Sequence, residues 1–274
     1  MKRFFFFLLS FSGFVASAQT LAIQTNTSKF LRQGDHIEFQ TNISNHSNKE
    51  ITGQVQLELI NPATNQSVDG WFLNTFPNQY FTIAANSKEQ AKFPVQVPYD
   101  FKGKLYVRVT ARIDSESTKH LDSLQIDSLI KSDNPSNKSI QLSKQLFVWK
   151  TINKKPVLIP IEKTTIRLND TIYTELHIKT TKNLNGVTID DYYPATLLPF
   201  AKKPNEKSIH SYQVLNQSNG ITSFTVNKLS KGSYTFSYFA VATRLGTFSQ
   251  GSTMIKADGR QSNSYNKEST VTVE

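Results

Sequence analysis

Apolar residues in this chain recur at every second position, in short runs closed by Asn, Ser, Gly or Pro. Successive side chains of a strand point to opposite faces, so this period is the signature of half-buried β-strands. Leu229–Gly251 is the fullest case. Tyr234, Phe236, Tyr238 and Ala240 share one face, while Thr235, Ser237, Phe239 and Val241 share the other. Gly232 and Gly246 stand where turns want a residue without Cβ, and a return strand begins after Gly246. Nowhere beyond residue 18 is a 3.6-residue apolar period sustained over the roughly 10–12 residues that a helix needs. Strands are predicted at His36–Asn45, Gln54–Ile60, Tyr80–Ala84, Gln90–Val97 and Lys104–Ile113. Further strands are predicted at Lys144–Thr151, Thr171–Thr180, Gly186–Asp190, Ile209–Leu215, Thr222–Val226, Ser233–Thr243 and Thr270–Val273. Runs of that length and spacing predict an all-β protein of two tandem antiparallel β-sandwiches.

The ends and the charge set further bounds. Lys2 and Arg3 precede an apolar run from Phe4 to Val15, which is shorter than the ~20 residues of a bilayer span. Ala16-Ser17-Ala18 forms a small-x-small cleavage site, so residues 1–18 read as a signal peptide and the mature chain is expected to start at Gln19. The expected location is periplasmic or secreted. The chain has no cysteine, which excludes lipid attachment after the apolar run, disulfides and thiolate chemistry within it. The net charge is +10, but the lysines are spread along the chain, with local pairs at Lys154-Lys155 and Lys202-Lys203 in apparent loops. A nucleic-acid protein would gather them into a stripe, so solvated surface is the better reading and no nucleic-acid partner is expected. Residues 131–139, KSDNPSNKS, hold no large apolar side chain and read as a linker between modules 19–130 and 140–274.

Both modules carry a resemblance. The first has Lys29-Phe30-Leu31-Arg32-Gln33-Gly34-Asp35, an alternating strand from Ile37, and then Asn45-His46-Ser47. The second has Leu142-Ser143-Lys144-Gln145-Leu146-Phe147-Val148, then Ile166-Arg167-Leu168-Asn169-Asp170, and finally Leu229-x-Lys-Gly-x-Tyr-x-Phe-x-Tyr. In this order the motifs resemble the bacterial alpha-2-macroglobulin family. The first module is similar to the macroglobulin domain before the thioester region, and the second to the C-terminal macroglobulin domain. The resemblance implies macroglobulin-like, immunoglobulin-like sandwiches. In full-length relatives it implies a thioester domain between the two modules, where this chain has only about Asp114 to Ser143. Ile255-Lys256-Ala257-Asp258-Gly259 also departs from the family's aromatic-Ala-Pro-Glu run.

The family's covalent trap requires a Cys–Gln thioester, and a chain without cysteine cannot form one. No catalytic set is expected either. His36, His46, His120, His177 and His210 share no ligand spacing, and Asp190 and Asp191 should point to opposite faces of a strand, fitting a loop-edge role better than acid–base catalysis. Asp114, Glu116, Asp122 and Asp127 lack a calcium-loop pattern and read as solvated turn acids. No enzyme activity, cofactor or metal is therefore expected. The candidate interaction surface is Trp71, Phe72 and Phe76, beside Tyr80-Phe81, together with Tyr192 and Tyr193 beside Phe200, against the alternative that these aromatics plug sandwich ends. The expected function is non-covalent binding of another envelope or secreted protein, or envelope scaffolding. Alternatives are an accessory protease inhibitor working with a larger macroglobulin, or a carbohydrate-binding module if Trp71, Phe72 and Phe76 are exposed and coplanar. The modules are expected to dock, with an interface near Leu121–Ile130 and the start of Lys144–Thr151.

Overall fold

The computed structural model describes residues 20–114, 116–128, 139–200, 213–218, 220–257, 260–265 and 269–274. The signal segment and nearly all of the 131–139 linker lie outside these residues. The first half forms β1 (Leu21–Thr25), β2 (Phe30–Arg32), β3 (His36–Asn45), β4 (Ile51–Asn61), β5 (Gln66–Ser67), β6 (Asn78–Ile83), β7 (Lys88–Gln96), β8 (Gly103–Ile113) and β9 (Glu116–Asp127). The second half opens with β10 (Ile140–Ile152), β11 (Lys155–Pro160), β12 (Thr171–Thr180), β13 (Leu184–Tyr192), β14 (Leu197–Phe200) and β15 (Gln213–Ser218). It closes with β16 (Ile221–Leu229), β17 (Gly232–Ala242), β18 (Gly246–Ser249), β19 (Thr253–Ala257), β20 (Arg260–Tyr265) and β21 (Thr270–Val273). Among the described residues there is no α-helix, only a 3-10 turn at Ile161–Lys163.

Alternation sets the core of each half. Leu105, Val107, Val109 and Ala111 of β8 are fully buried and face inward, while Arg108 turns outward to Glu58. In the second half β12 and β17 pair with Leu176 opposite Phe236 and Ile172 opposite Ala240, all buried. The Phe236 ring packs 5.6 Å from that of Phe224, on β16 of the facing sheet. Two sheets serve mainly the first half: β2-β9-β8-β4-β5 with β6 on β4, and a sheet centred on β3. Two serve the second: β11-β10-β12-β17-β14 and β15-β16-β13-β19-β20.

The sheet centred on β3 crosses the predicted module boundary. One flank of β3 is covered by β7, and the other by β1 from Asn45 down to Thr41. Where β1 ends, β18 takes over, with Gly246 opposite Ile37 and Thr247 opposite His36, and β21 pairs onto β18. Strands 246–249 and 270–273 therefore extend a sheet of the first half, which differs from a clean division at the linker. A Cβ at Gly246 would lie 2.1 Å from the His36 carbonyl oxygen, so only glycine lets these backbones meet.

Side chains close the same seam. The Asp35 carboxylate accepts the Arg32 amide at 2.8 Å within its own turn and the Ser249 amide of β18, also at 2.8 Å. The buried Arg32 guanidinium crosses the seam and donates to the carbonyls of Tyr193 (2.6 Å) and Gly220 (3.3 Å). It lies 5.0 Å from the centroid of the Phe30 ring, which meets Tyr193 edge-on and leaves no space for a side chain at Gly220. Arg244 to the Thr27 carbonyl and Asn26 to the Thr243 carbonyl extend the contact. The halves are docked as expected, but through other residues. Leu121 is 59% exposed, and Lys144 is buried inside the second half. The reason is that the end of β9 pairs in parallel with β2, so β2 and the turn to β3 meet the second half instead.

Burial raises the Asp35 carboxyl from 3.8 to about 6, with the Arg32 and Ser249 amides pulling it back down. The folded protein thus holds this proton more tightly than the unfolded chain. Its contribution to stability is full below about pH 4 and is lost as the pH rises through about 6. In urea unfolding over that interval the wild type should lose about 2–3 kcal/mol relative to Asp35→Asn, whatever constant offset the lost hydrogen bond adds. Parallel pH profiles would contradict the assignment.

Candidate interaction surface

The loop between β5 and β6 is built around Asp69. Its carboxylate accepts the Leu59 amide (2.9 Å), the Asn74 side-chain amide (2.9 Å) and the Ser67 hydroxyl (2.8 Å). The Asn74 backbone amide returns to the Asp69 carbonyl at 3.0 Å. Its side chain also donates to the Leu57 carbonyl at 3.2 Å, supplying the ladder hydrogen that Pro77 lacks. Between these ties Phe72 turns inward, fully buried and edge-on to Phe101 at 5.0 Å. With both ends fixed and Phe72 as a plug, the side chains on either side are held outward. Trp71 is 60% exposed, Leu73 54% and Phe76 68%.

Leu73 has φ +51°, a left-handed backbone conformation that β-carbon sterics disfavour. Strain of this kind persists where surrounding structure enforces it and marks functional loops. More than half of the Leu73 surface is nonetheless left in water.

The sequence candidates therefore separate. Trp71 and Phe76 belong to an exposed surface. Phe72 does not, because the loop turns its ring into the core. With Phe72 fully buried, the stated condition for a carbohydrate platform, three exposed coplanar rings, is not met. Tyr193 is 4% exposed and packs under Phe30 at the seam, where its hydroxyl accepts the Gly220 amide, and Tyr192 beside it is half-buried. Neither forms a surface with the Trp71 loop. They lie at the end of β13, which the docked first half covers in part.

The titratable candidates sit in structural roles. Asp190 and Asp191 do face opposite sides of β13, and Asp191 faces the core rather than a loop edge. Asp191 is fully buried and accepts Tyr238 Oη (2.6 Å) and Thr253 Oγ1 (2.5 Å), with Lys144 Nζ at 2.9 Å. Burial pushes the Lys144 ammonium down and Asp191 pulls it back up, while burial pushes the Tyr238 phenol well above its ordinary range. Asp190 is outside, with Ser223 and Lys256. Glu116 and Asp122 lie on β9 rather than in turns. Glu116 accepts the Thr20 and Leu21 amides, and Asp122 accepts Thr27 Oγ1. His120 and His177 each pair with a single carboxylate, on Asp122 and Glu175, and His210 lies outside the described residues. Among the described residues no three His, Asp or Glu side chains converge as metal ligands.

Sequence reasoning missed two features. Leu73 gave no signal, because left-handed geometry at leucine cannot be read from its identity. The second is a half-buried aromatic row across the outer face of one sheet: Phe147, Tyr173, Phe239 and Phe200 stand side by side on four strands. Their rings are 4.9–6.5 Å apart in succession. The alternation that placed Phe239 opposite Phe236 was the available clue.

Paired antiparallel sandwiches with an exposed aromatic loop, and with charged groups committed to structure, define a macroglobulin-like, non-thioester architecture. Residues 140–257 match the family model for the bacterial alpha-2-macroglobulin MG10 domain. The chain as a whole is similar in fold to native Escherichia coli alpha-2-macroglobulin from domain MG7 to the C-terminus, with TM-score 0.64 and 6% identity over 92% of this chain and 99% of that one. It is similar to the native E. coli protein seen by cryo-electron microscopy, with TM-score 0.65 and 6% identity over 94% of this chain and 40% of that one. It is also similar to the methylamine-reacted Salmonella protein, with TM-score 0.62 and 6% identity over 93% of this chain and 41% of that one. The chain thus spans about two fifths of the longer relatives. No curated protein matches the sequence. Residues 140–257 thus match the MG10 domain model, and the chain as a whole shares the fold of the bacterial alpha-2-macroglobulins that its sequence motifs resemble.

Because Leu73 is strained and exposed, Leu73→Asn should raise stability by about 1 kcal/mol, asparagine being tolerant of left-handed backbone. Chemical unfolding measures this directly. A loss of stability would mean that the leucine side chain supports the fold.

Proposed function

We propose that this protein is an exported, non-catalytic binding or scaffold protein of the cell envelope, which holds a partner protein non-covalently through Trp71 and Leu73. The observation that carries this reading is the Asp69–Asn74 loop, held rigid while presenting two large apolar side chains to water. Preorganised loops with an aromatic anchor lose little entropy on binding, and such anchors dominate interface energies. Covalent capture is not available to this chain, because a thioester needs a cysteine and it has none. Export is proposed from the basic, apolar and small-residue order of residues 1–18.

A protease is the partner class to test first. E. coli alpha-2-macroglobulin structures similar to this one are of protein activated by trypsin and by porcine elastase. This favours the accessory-inhibitor version of the same reading. Chemical cross-linking in the envelope fraction, followed by capture of the full chain, should recover a protein that Trp71→Ala reduces about tenfold. Mass spectrometry of the captured bait should show Gln19 as its N-terminus. Identical recovery by wild type, Trp71→Ala and Leu73→Asn would overturn the assignment of the surface.

A further inference from the structure

The strand that follows this loop has an open edge. Among the described residues β6 pairs with β4 alone. The Leu57 amide donates to the Pro77 carbonyl at 2.9 Å, which continues the ladder and fixes its phase. In an antiparallel pair, alternate residues bond to the neighbour. Positions 77, 79, 81 and 83 therefore face β4, and the backbone N–H and C=O groups of Asn78, Tyr80 and Thr82 point to the open side. Pro77 does not obstruct that side, because its missing hydrogen belongs to the ladder with β4, where the Asn74 amide replaces it. The side chains of Phe76, Asn78, Tyr80 and Thr82 are all exposed, Tyr80 at 83%.

Proteins normally guard such edges with prolines, lysines or covering segments. Here β7 carries Lys88, Lys92 and Pro94, β11 carries Lys155, Pro156 and Pro160, and β14 carries Pro199. The run Phe76–Ile83 carries no charge at all, in a chain of net charge +10. That combination selects the occupant. In a two-fold pair each strand lies against its own copy, so any charge near the axis would face the same charge, and this segment has none.

We infer that β6 pairs edge to edge, antiparallel, with β6 of a second copy of this chain, about a two-fold axis at Asn78. In this register Asn78 lies opposite Asn78 of the partner subunit, and a side-chain amide both donates and accepts, so it complements itself. Phe76 lies beside Tyr80 of the partner subunit and Tyr80 beside Phe76 of the partner subunit. These form two cross-strand aromatic pairs of the kind that fixes register. A closed two-fold pair uses up both edges and stops there. The ladder itself runs over residues 76–80, so the proposed binding loop flanks the dimer seam on each copy.

The full-length mature protein tests this by sedimentation velocity over a concentration series. The wild type should sediment as a dimer at micromolar concentration, and Asn78→Lys, a change at an exposed position, should raise the dissociation constant by at least about tenfold. Because the chain has no cysteine, Asn78→Cys carries a single thiol. Opposed residues in a bonded antiparallel pair have Cα atoms about 5.5 Å apart, within disulfide range. Mild oxidation should therefore convert Asn78→Cys to a covalent dimer, while Thr52→Cys, exposed on β4, stays monomeric. Unchanged thermal unfolding of the variants shows that the fold is intact. A wild type that remains monomeric throughout the series overturns the proposal. So does a dimer indifferent to Asn78→Lys, which would place the contact on another face.

Discussion

Everything in this molecule depends on a buried charge that bonds across two sandwiches. The Arg32 guanidinium is removed from water, and it is tolerated because two carbonyls of the second half and the Phe30 ring receive it while the charges of Asp35, Asp127 and Asp191 act on it from nearby. Burying a cation is costly unless it is hydrogen-bonded, so the seam holds only with both carbonyls in place against Arg32. Asp35 works from the same turn. It ties the Arg32 backbone to the Ser249 amide, and that turn delivers β3 to β18. Backbone pairing, the glycine at 246 and the guanidinium then impose one relative placement of the halves.

A second buried charge organises the second half. Lys144 reaches from β10 to Asp191 on β13, and Asp191 also takes the hydroxyls of Tyr238 and Thr253. The ammonium is further held by the Tyr192 and Gln250 carbonyls, at 3.3 and 3.1 Å. A pair of this kind adds little net stability over an apolar replacement, but removing one member is expensive. It positions the end of β13, and Tyr193 and Gly220 beside it present the carbonyls that Arg32 uses. The two networks thus meet: the inner one shapes the surface that the outer one grips.

Much of the fold was legible from period alone. β3, β12 and β21 run over the predicted residues, because in each the alternation of buried and exposed positions is uninterrupted. Short strands were less visible. Phe30–Arg32 is buried at all three positions and shows no alternation, and Leu197–Phe200 contains a proline. Pairing partners were not legible at all. Nothing local in Gly246–Ser249 says that it continues the flank of β3, some two hundred residues earlier, since a period of two specifies a face and not a neighbour. In the loop, composition located the aromatic cluster but could not sort it. Trp71 and Phe72 are adjacent, and which of them turns inward is decided by the Asp69 hydrogen bonds. Asp191 looked peripheral for a similar reason: its partners Lys144, Tyr238 and Thr253 come from three other strands.

The central claim is that the two halves form one cooperative unit through the Arg32–Asp35 seam. Native-state hydrogen exchange at the Glu38 and Ser249 amides tests it most directly, since both hydrogens are bonded across the seam, to the Leu245 carbonyl and to Asp35. The account predicts that they open only with the core, with free energies within about 1 kcal/mol of those at Val107 and Phe236. Exchange at these two amides like that of a mobile loop, with both cores still protected, would contradict it.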